Sequence, residues 1–194
     1  MSSVARHAPP PTHDTGPFVS LAEWDRDWSR RDEDYELVDG HPLVTPSEAY
    51  PHVEAASLLT VQLIPILTPG LIVLPHFDVR VGGSDLRPTI RCPDLVVARR
   101  VLRATDRRFD ASHVLLVAEV LSSSTERTDV RDKRAEYATA GIPHYLLVDV
   151  RTQPTVRHLA DPHDGDYRSE ASGPSVTLHL DDHDITIRAE DLVR

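Results

Sequence analysis

Apolar residues in this chain occur as unbroken runs, at helical spacing, and in short alternating pieces, and the most informative stretch runs from Val114 to Val150. It opens with Val114–Val120, which is apolar except for Glu119, and breaks at Ser122-Ser123-Ser124-Thr125. A charged segment follows, ending at Ala140-Gly141, and a second apolar run covers Tyr145 to Val150. This order predicts strand, helix, strand, and strands apolar at nearly every position predict a sheet covered on both faces. Within the helix, Thr125, Asp129, Lys133 and Tyr137 are four apart and form one nearly straight line. Thr and acids open the helix, and Ala140-Gly141 followed by Pro143 stops it.

Elsewhere the pattern is less continuous. Ser20, three residues before Glu23, makes a capping-box pattern and predicts a short helix to about Trp28, with Trp24 and Trp28 packing from one face. Asp39-Gly40 between Tyr35–Val38 and Leu43 to Thr45 predicts a hairpin. Val53, Ala56, Leu59, Leu63 and Leu67 recur at helical spacing, so 47–67 reads as a helix with Pro51 and His52 in its first turn and Pro65 ending or kinking it. Leu71 to Val81 reads as strand, GGSDLRPTIR as loop, and Arg91 to Ala98 as another apolar strand entered through Pro93-Asp94. Residues 99–113 read as loop or ragged helix. Thr155 to Leu159, Ser175 to Leu180 and Ile185 to Arg188 predict an antiparallel extension of the sheet. Residues 1–17, rich in Pro and small polar residues, read as a disordered leader, and 18–194 as a single domain.

Composition narrows the setting. One cysteine, Cys92, permits neither an internal disulfide nor a cysteine-based zinc site, which fits a reducing cytoplasm. No apolar run approaches the roughly 18 residues of a membrane span, so the reading is soluble and cytoplasmic. The net charge of −10 excludes a protein that coats nucleic acid by bulk attraction, yet it suits a nuclease whose metal site needs acids. The 21 basic residues are 20 arginines and one lysine, Lys133.

Asp94 and Glu119 both lie on or beside runs apolar enough to be central strands. An isolated buried carboxylate costs several kcal/mol, so each calls for a cation, a proton or a metal. Two acids at neighbouring strand ends can share a hard divalent ion such as Mg²⁺, with the carbonyl of Val120 as a third ligand. The competing reading pairs one or both acids with Arg91 or another arginine. Lys133, two turns into a helix that starts just after Glu119, is placed to reach back to the same point. Arginine does not release a proton at neutral pH whereas lysine can, which favours a site role for the one lysine. The histidines in HLADPHDGD and LHLDDHD match no known ligand rhythm and read as solvated turns.

Pro93-Asp94, the strand with Glu119, and EVLSSSTERTDVRDKRAEYATAGIPHYLLVDV closely resemble the Uma-two family, described as restriction endonucleases and a branch of the PD-(D/E)XK nuclease superfamily. The resemblance extends upstream through YELVDG and His52 and covers roughly 18 to 150. It implies an α/β, restriction-endonuclease-like fold with a mixed four-stranded sheet flanked by helices. It also implies Asp94 and Glu119 as ligands of Mg²⁺ or Mn²⁺, and Lys133 as the catalytic lysine. Two departures stand out. The superfamily's usual lysine position, two residues after the acid, holds Leu121, and the acid that often follows YEL-x-x-G is replaced by His41, leaving Glu36 as the additional acid.

The leading expectation is therefore a Mg²⁺-dependent endonuclease acting on DNA. In it Asp94, Glu119 and Val120 hold the metal, Lys133 orients or deprotonates water, and Glu36, His52 and Tyr137 support the site or contact phosphate. The alternative is a catalytically inactive nuclease-fold module for nucleic-acid or protein interaction. A homodimer through edge strands after Val150 is compatible with either.

Overall fold

The computed structural model describes residues 18–28, 35–67, 69–103 and 105–194; the leader expected over 1–17 lies outside them. Its central layer is a six-stranded mixed sheet. β3 (Leu71–Pro75), β6 (Leu95–Arg99), β8 (Val114–Val120), β9 (His144–Asp149), β10 (Thr155–His163) and β11 (Asp166–Gly173) lie in the order β11-β10-β9-β8-β6-β3. The β8–β9 pair is parallel and the others are antiparallel. The resemblance implied four strands; β3 and β11 stand at the two edges of the sheet observed.

Alternation along the strands explains why the central ones read as solid apolar runs. Leu116, Ala118, Val120, Leu146 and Val148 face one core, while Val117, Tyr145 and Leu147 face another. The first core is closed by helix α2 (Tyr50–Leu67) and by a hairpin of β12 (Ser175–Leu180) and β13 (His183–Arg188). Ala55, Ala56, Leu59, Leu63 and Leu67 of α2 are buried there, each leucine adding roughly 1.5–3 kcal/mol on transfer from water. Val53, expected on that buried face, is exposed, and Ala55 takes its place. Pro65 stands inside the last turn without ending the helix. The second core is closed by a helix that winds as a wide π-type segment, Thr128–Lys133, and then as α3 (Arg134–Thr139).

A second sheet, in the order β2-β1-β5-β4-β7, lies beyond that helix. It comprises β1 (Tyr35–Val38), β2 (His41–Val44), β4 (Asp78–Gly83), β5 (Pro88–Arg91) and β7 (Arg108–Asp110). Three expectations are corrected here. The run Leu71 to Val81 is two strands in two sheets, broken at His76, whose φ of 44° is left-handed. The expected loop 82–91 contains β5, buried at three of its four positions between β1 and β4. Residues 99–113 contain β7 and a 3₁₀ turn, Ala111–His113. The antiparallel extension after Val150 is formed by β10 and the unforeseen β11, whereas β12 and β13 make a sheet of their own.

The N-terminal turn, α1 (Leu21–Glu23), forms as its capping box dictates: Ser20 Oγ accepts from the Glu23 N–H and the Glu23 carboxylate accepts from the Ser20 N–H. Trp24 and Trp28 stack with ring centroids 6.3 Å apart. Asp39 and Gly40, at φ 49° and 79°, make the two-residue β1–β2 turn.

Candidate active site

Because β6 and β8 are antiparallel with Leu95 opposite Ala118, Asp94 and Glu119 fall at neighbouring positions where the two strands begin and end. Both are buried, and both line a cavity of about 340 Å³ with Glu48, His52, His76, Val120 and Lys133. Glu119 lies on the sheet face that carries the helix, as the alternation with Leu147 and Val117 requires.

Lys133 reaches the same point. Its Nζ is 2.9 Å from Glu119 Oε1, 3.3 Å from Glu36 Oε1 and 3.3 Å from Asp129 Oδ1, and the side chain is 8% exposed. The Asp129 contact has the distance of an ion pair without the alignment of a hydrogen bond. Tyr137 Oη donates to the same Glu119 oxygen at 2.8 Å. Two donors thus converge on Oε1 from consecutive turns, and the wide winding of Thr128–Lys133 sits where Lys133 must reach inward. Thr125 lines the cavity at the start of that line of residues.

Asp94 is held differently. Its Oδ2 accepts the Val120 N–H at 2.7 Å, and its Oδ1 lies 3.0 Å from His52 Nε2. The other ring nitrogen of His52 is 3.4 Å from Glu48 Oε2, four residues earlier and just ahead of α2, an ion-pair distance without the alignment of a hydrogen bond. Burial alone would lower the pKa of this imidazole, but the bond to Asp94 and the charges of Asp94 and Glu48 outweigh it and raise it, which favours the charged form. Arg91 pairs with neither site acid. It donates to Glu36 Oε2 at 2.7 Å and clamps the Glu136 carboxylate with two bonds of 2.6 and 2.7 Å. Glu36 is thereby fixed between Arg91, the Cys92 N–H and Lys133.

The electrostatics follow. Burial pushes the Glu119 carboxyl well above its usual range, Lys133 opposes this, and Asp129, Asp94 and Glu36 add to the rise. Asp129 is raised by burial as well. Glu36 ends below its usual value because Lys133 and Arg91 outweigh its burial. Burial would lower Lys133, but three carboxylates raise it well above an ordinary lysine. Four buried acids, Glu36, Asp94, Glu119 and Asp129, therefore share Lys133, Arg91 and His52, while Arg91 also serves Glu136. Oxygen donors with excess negative charge are the donor type that hard divalent cations take.

Of the residues singled out in the sequence, Asp94, Glu119, Val120, His52 and Lys133 meet at the cavity. Glu36 and Tyr137 are buried behind it, where they touch Lys133 and Glu119 rather than open space. His41 packs edge-to-face on Phe18 and does not line the cavity. Glu48, Arg91 and Asp129 complete the network; the sequence pattern places Asp129 on the line with Lys133 and offers Arg91 only as a partner for the site acids, and it gives Glu48 no role. The Asp129–Lys133 spacing of four on the helix and the Glu48–His52 spacing of four at a helix start were the usable signals for them. Another cavity, of about 390 Å³, is lined by Asp25, Arg80 and Arg108 among others, and Arg80 and Arg108 are already paired with Asp85 and Asp25.

Comparison with known proteins sets this geometry in context. A family model described as "Putative restriction endonuclease", Uma2, matches residues 20–186. The chain belongs to the Uma2 family. No curated protein matches it. Among solved structures, a crystal structure at 1.96 Å of "a putative nuclease belonging to DUF820" from Anabaena variabilis ATCC 29413 superposes with a TM-score of 0.68 at 16% identity. That match covers 90% of this chain and 97% of the other. At that identity the match carries the fold. Among the described residues of this Uma2 chain, no helix is long and apolar enough to cross a membrane.

Proposed function

We propose that this Uma2 protein is a divalent-metal-dependent endonuclease of the PD-(D/E)XK type that hydrolyses phosphodiester bonds in DNA, with Mg²⁺ as its ion and Mn²⁺ as a substitute. The observation that carries the reading is the meeting of Glu119, Asp94 and the sole lysine at one cavity, with Lys133 Nζ 2.9 Å from Glu119. Family membership and fold support it.

Asp94, Glu119 and the Val120 carbonyl would hold the ion, which when bound neutralises the scissile phosphate and acidifies water. The protein's own groups do the rest. Lys133, kept as an ammonium by its three carboxylates, donates to and orients the attacking water rather than deprotonating it, and it faces charge that builds on the phosphate. Tyr137 and Glu36 hold Glu119 and Lys133 in place from behind. His52, bonded to Asp94 and braced by Glu48, keeps that carboxylate turned to the cavity mouth.

Titration calorimetry with Mn²⁺ tests the metal assignment. Wild type takes up Mn²⁺, and Asp94→Asn and Glu119→Gln each weaken it by about tenfold or more. Uptake unchanged by both substitutions would reject this site and favour a non-catalytic module.

A further inference from the structure

The sequence pattern puts the histidines of HLADPHDGD in solvated turns, yet the fold places both on β10 and sets one of them, His158, beside His144. The two sit on paired strands, His144 opposite Ala160 and His158 opposite Leu146, so they are diagonal neighbours on one sheet face. Their rings are stacked, with centroids 5.2 Å apart and planes 29° apart. His144 Nδ1 lies 3.0 Å from His158 Nε2. With no carboxylate between them, one ring donates N–H and the other accepts through a lone pair, so the accepting ring is neutral.

From this geometry we propose that His144 and His158 form a two-histidine site for a borderline divalent ion of the Zn²⁺, Ni²⁺ or Cu²⁺ class, separate from the acidic site. Imidazole nitrogens bind such ions at about 2.0–2.1 Å, and two of them in a tetrahedral shell lie about 3.3 Å apart. The observed 3.0 Å therefore needs only a small opening of the pair as the shared proton leaves the space between the rings. His144 Nδ1 and His158 Nε2 then each bind the ion through a lone pair, and the donor ring, by exchange with solvent, carries its one proton on its other nitrogen, so both ligands stay neutral and no net proton is released.

The surroundings favour nitrogen-loving ions over Mg²⁺. Burial, then the neighbouring histidine, lowers His158 to about 4, and burial lowers His144 with a smaller effect of His179, so neither ring is lost to protonation near neutrality. His179 is itself held by Asp184 at 2.8 Å. Among the described residues no group of three or more His, Cys, Asp and Glu is placed to hold an ion, so the proposed site rests on these two imidazoles, with water in the remaining positions. The site is distinct from the cavity. His144 is in register with Leu116 and Glu119 with Leu147, about 10 Å apart along the strands, and the two side chains lie on opposite faces. An ion there would tie β9 to β10 at the end of the sheet remote from Glu119.

The test uses the full chain with excess Mg²⁺ present to occupy the acidic site. Electron paramagnetic resonance with less than one equivalent of Cu²⁺ is predicted to show two equatorial nitrogens in wild type and one in His144→Gln or His158→Gln. Zn²⁺ affinity by calorimetry falls at least about tenfold in the same variants when one of two protein ligands is removed. His163→Gln, on the same strand, leaves both readings unchanged. His158→Phe keeps a stacked ring without a nitrogen and separates loss of the ligand from loss of packing. Unaltered Cu²⁺ spectra and Zn²⁺ affinity in the folded His144 and His158 variants would overturn the proposal.

Discussion

Lys133 is the residue on which the site's balance rests. Three carboxylates converge on its ammonium from three elements, so removing the charge leaves them facing one another in a buried space. Lys133→Met is expected to destabilise the protein by about 3–5 kcal/mol at pH 7.5, as breaking a buried ion pair does. The sign of the pH effect follows from the acids: once uncompensated, they take up protons as pH falls, so the penalty shrinks toward pH 5. Urea unfolding of wild type and variant at the two pH values checks this. A penalty equal at both would mean that the carboxylates do not feel the lost charge. Much at this scale was legible in the sequence, because an acid inside an apolar strand and a single lysine among arginines are chemical anomalies. Arg91 was not legible, since its partners Glu36 and Glu136 lie 55 and 45 residues away and no local pattern records them.

At the scale of elements, β8, the helix after it and β9 were readable because burial on both faces leaves an unmistakable apolar run. β11 was not, because it is an edge strand exposed along most of its length and carries no apolar alternation. The division of Leu71 to Val81 was hidden for another reason: a single residue, His76, in left-handed conformation moves the chain from one sheet to the other. The β1–β2 turn is a cleaner case. Gly40 has φ 79°, and a Cβ there would come within 3.1 Å of Phe18 Cβ. Gly40→Ala is therefore expected to cost about 1–2 kcal/mol, read as a lower urea midpoint. The β9–β10 pair adds a pH dependence. His158 has a folded pKa of about 4, below the ordinary 6.5, so the unfolded chain binds the proton first and stability falls as pH drops from 6.5 toward 4. Asp78, raised to about 6 by burial, acts oppositely over part of that range. The His158 contribution is thus read as the difference between wild type and His158→Gln in EDTA, with the variant losing less stability over that window. Parallel curves would contradict it.

At the scale of the whole molecule, two sheets and α2 bring residues from distant parts of the chain to one cavity. Glu36 comes with β1, Glu48 and His52 with the start of α2, Asp94 with β6, Glu119 with β8 and Lys133 with the helix beyond. The buried site sets Glu36, Asp94, Glu119 and Asp129 against Lys133 and Arg91, so part of the chain's net charge of −10 lies where the proposed divalent ion would sit. The central claim is that this cluster cleaves DNA, and plasmid nicking tests it most directly. Supercoiled plasmid is incubated in Mg²⁺ or Mn²⁺ with wild type, Glu119→Gln and Lys133→Met, each shown folded by its melting curve. Wild type is predicted to nick or linearise the plasmid, EDTA to stop it, and both variants to lose activity by about 100-fold or more. Wild type without cleavage in either metal, or variants as active as wild type, would contradict the account.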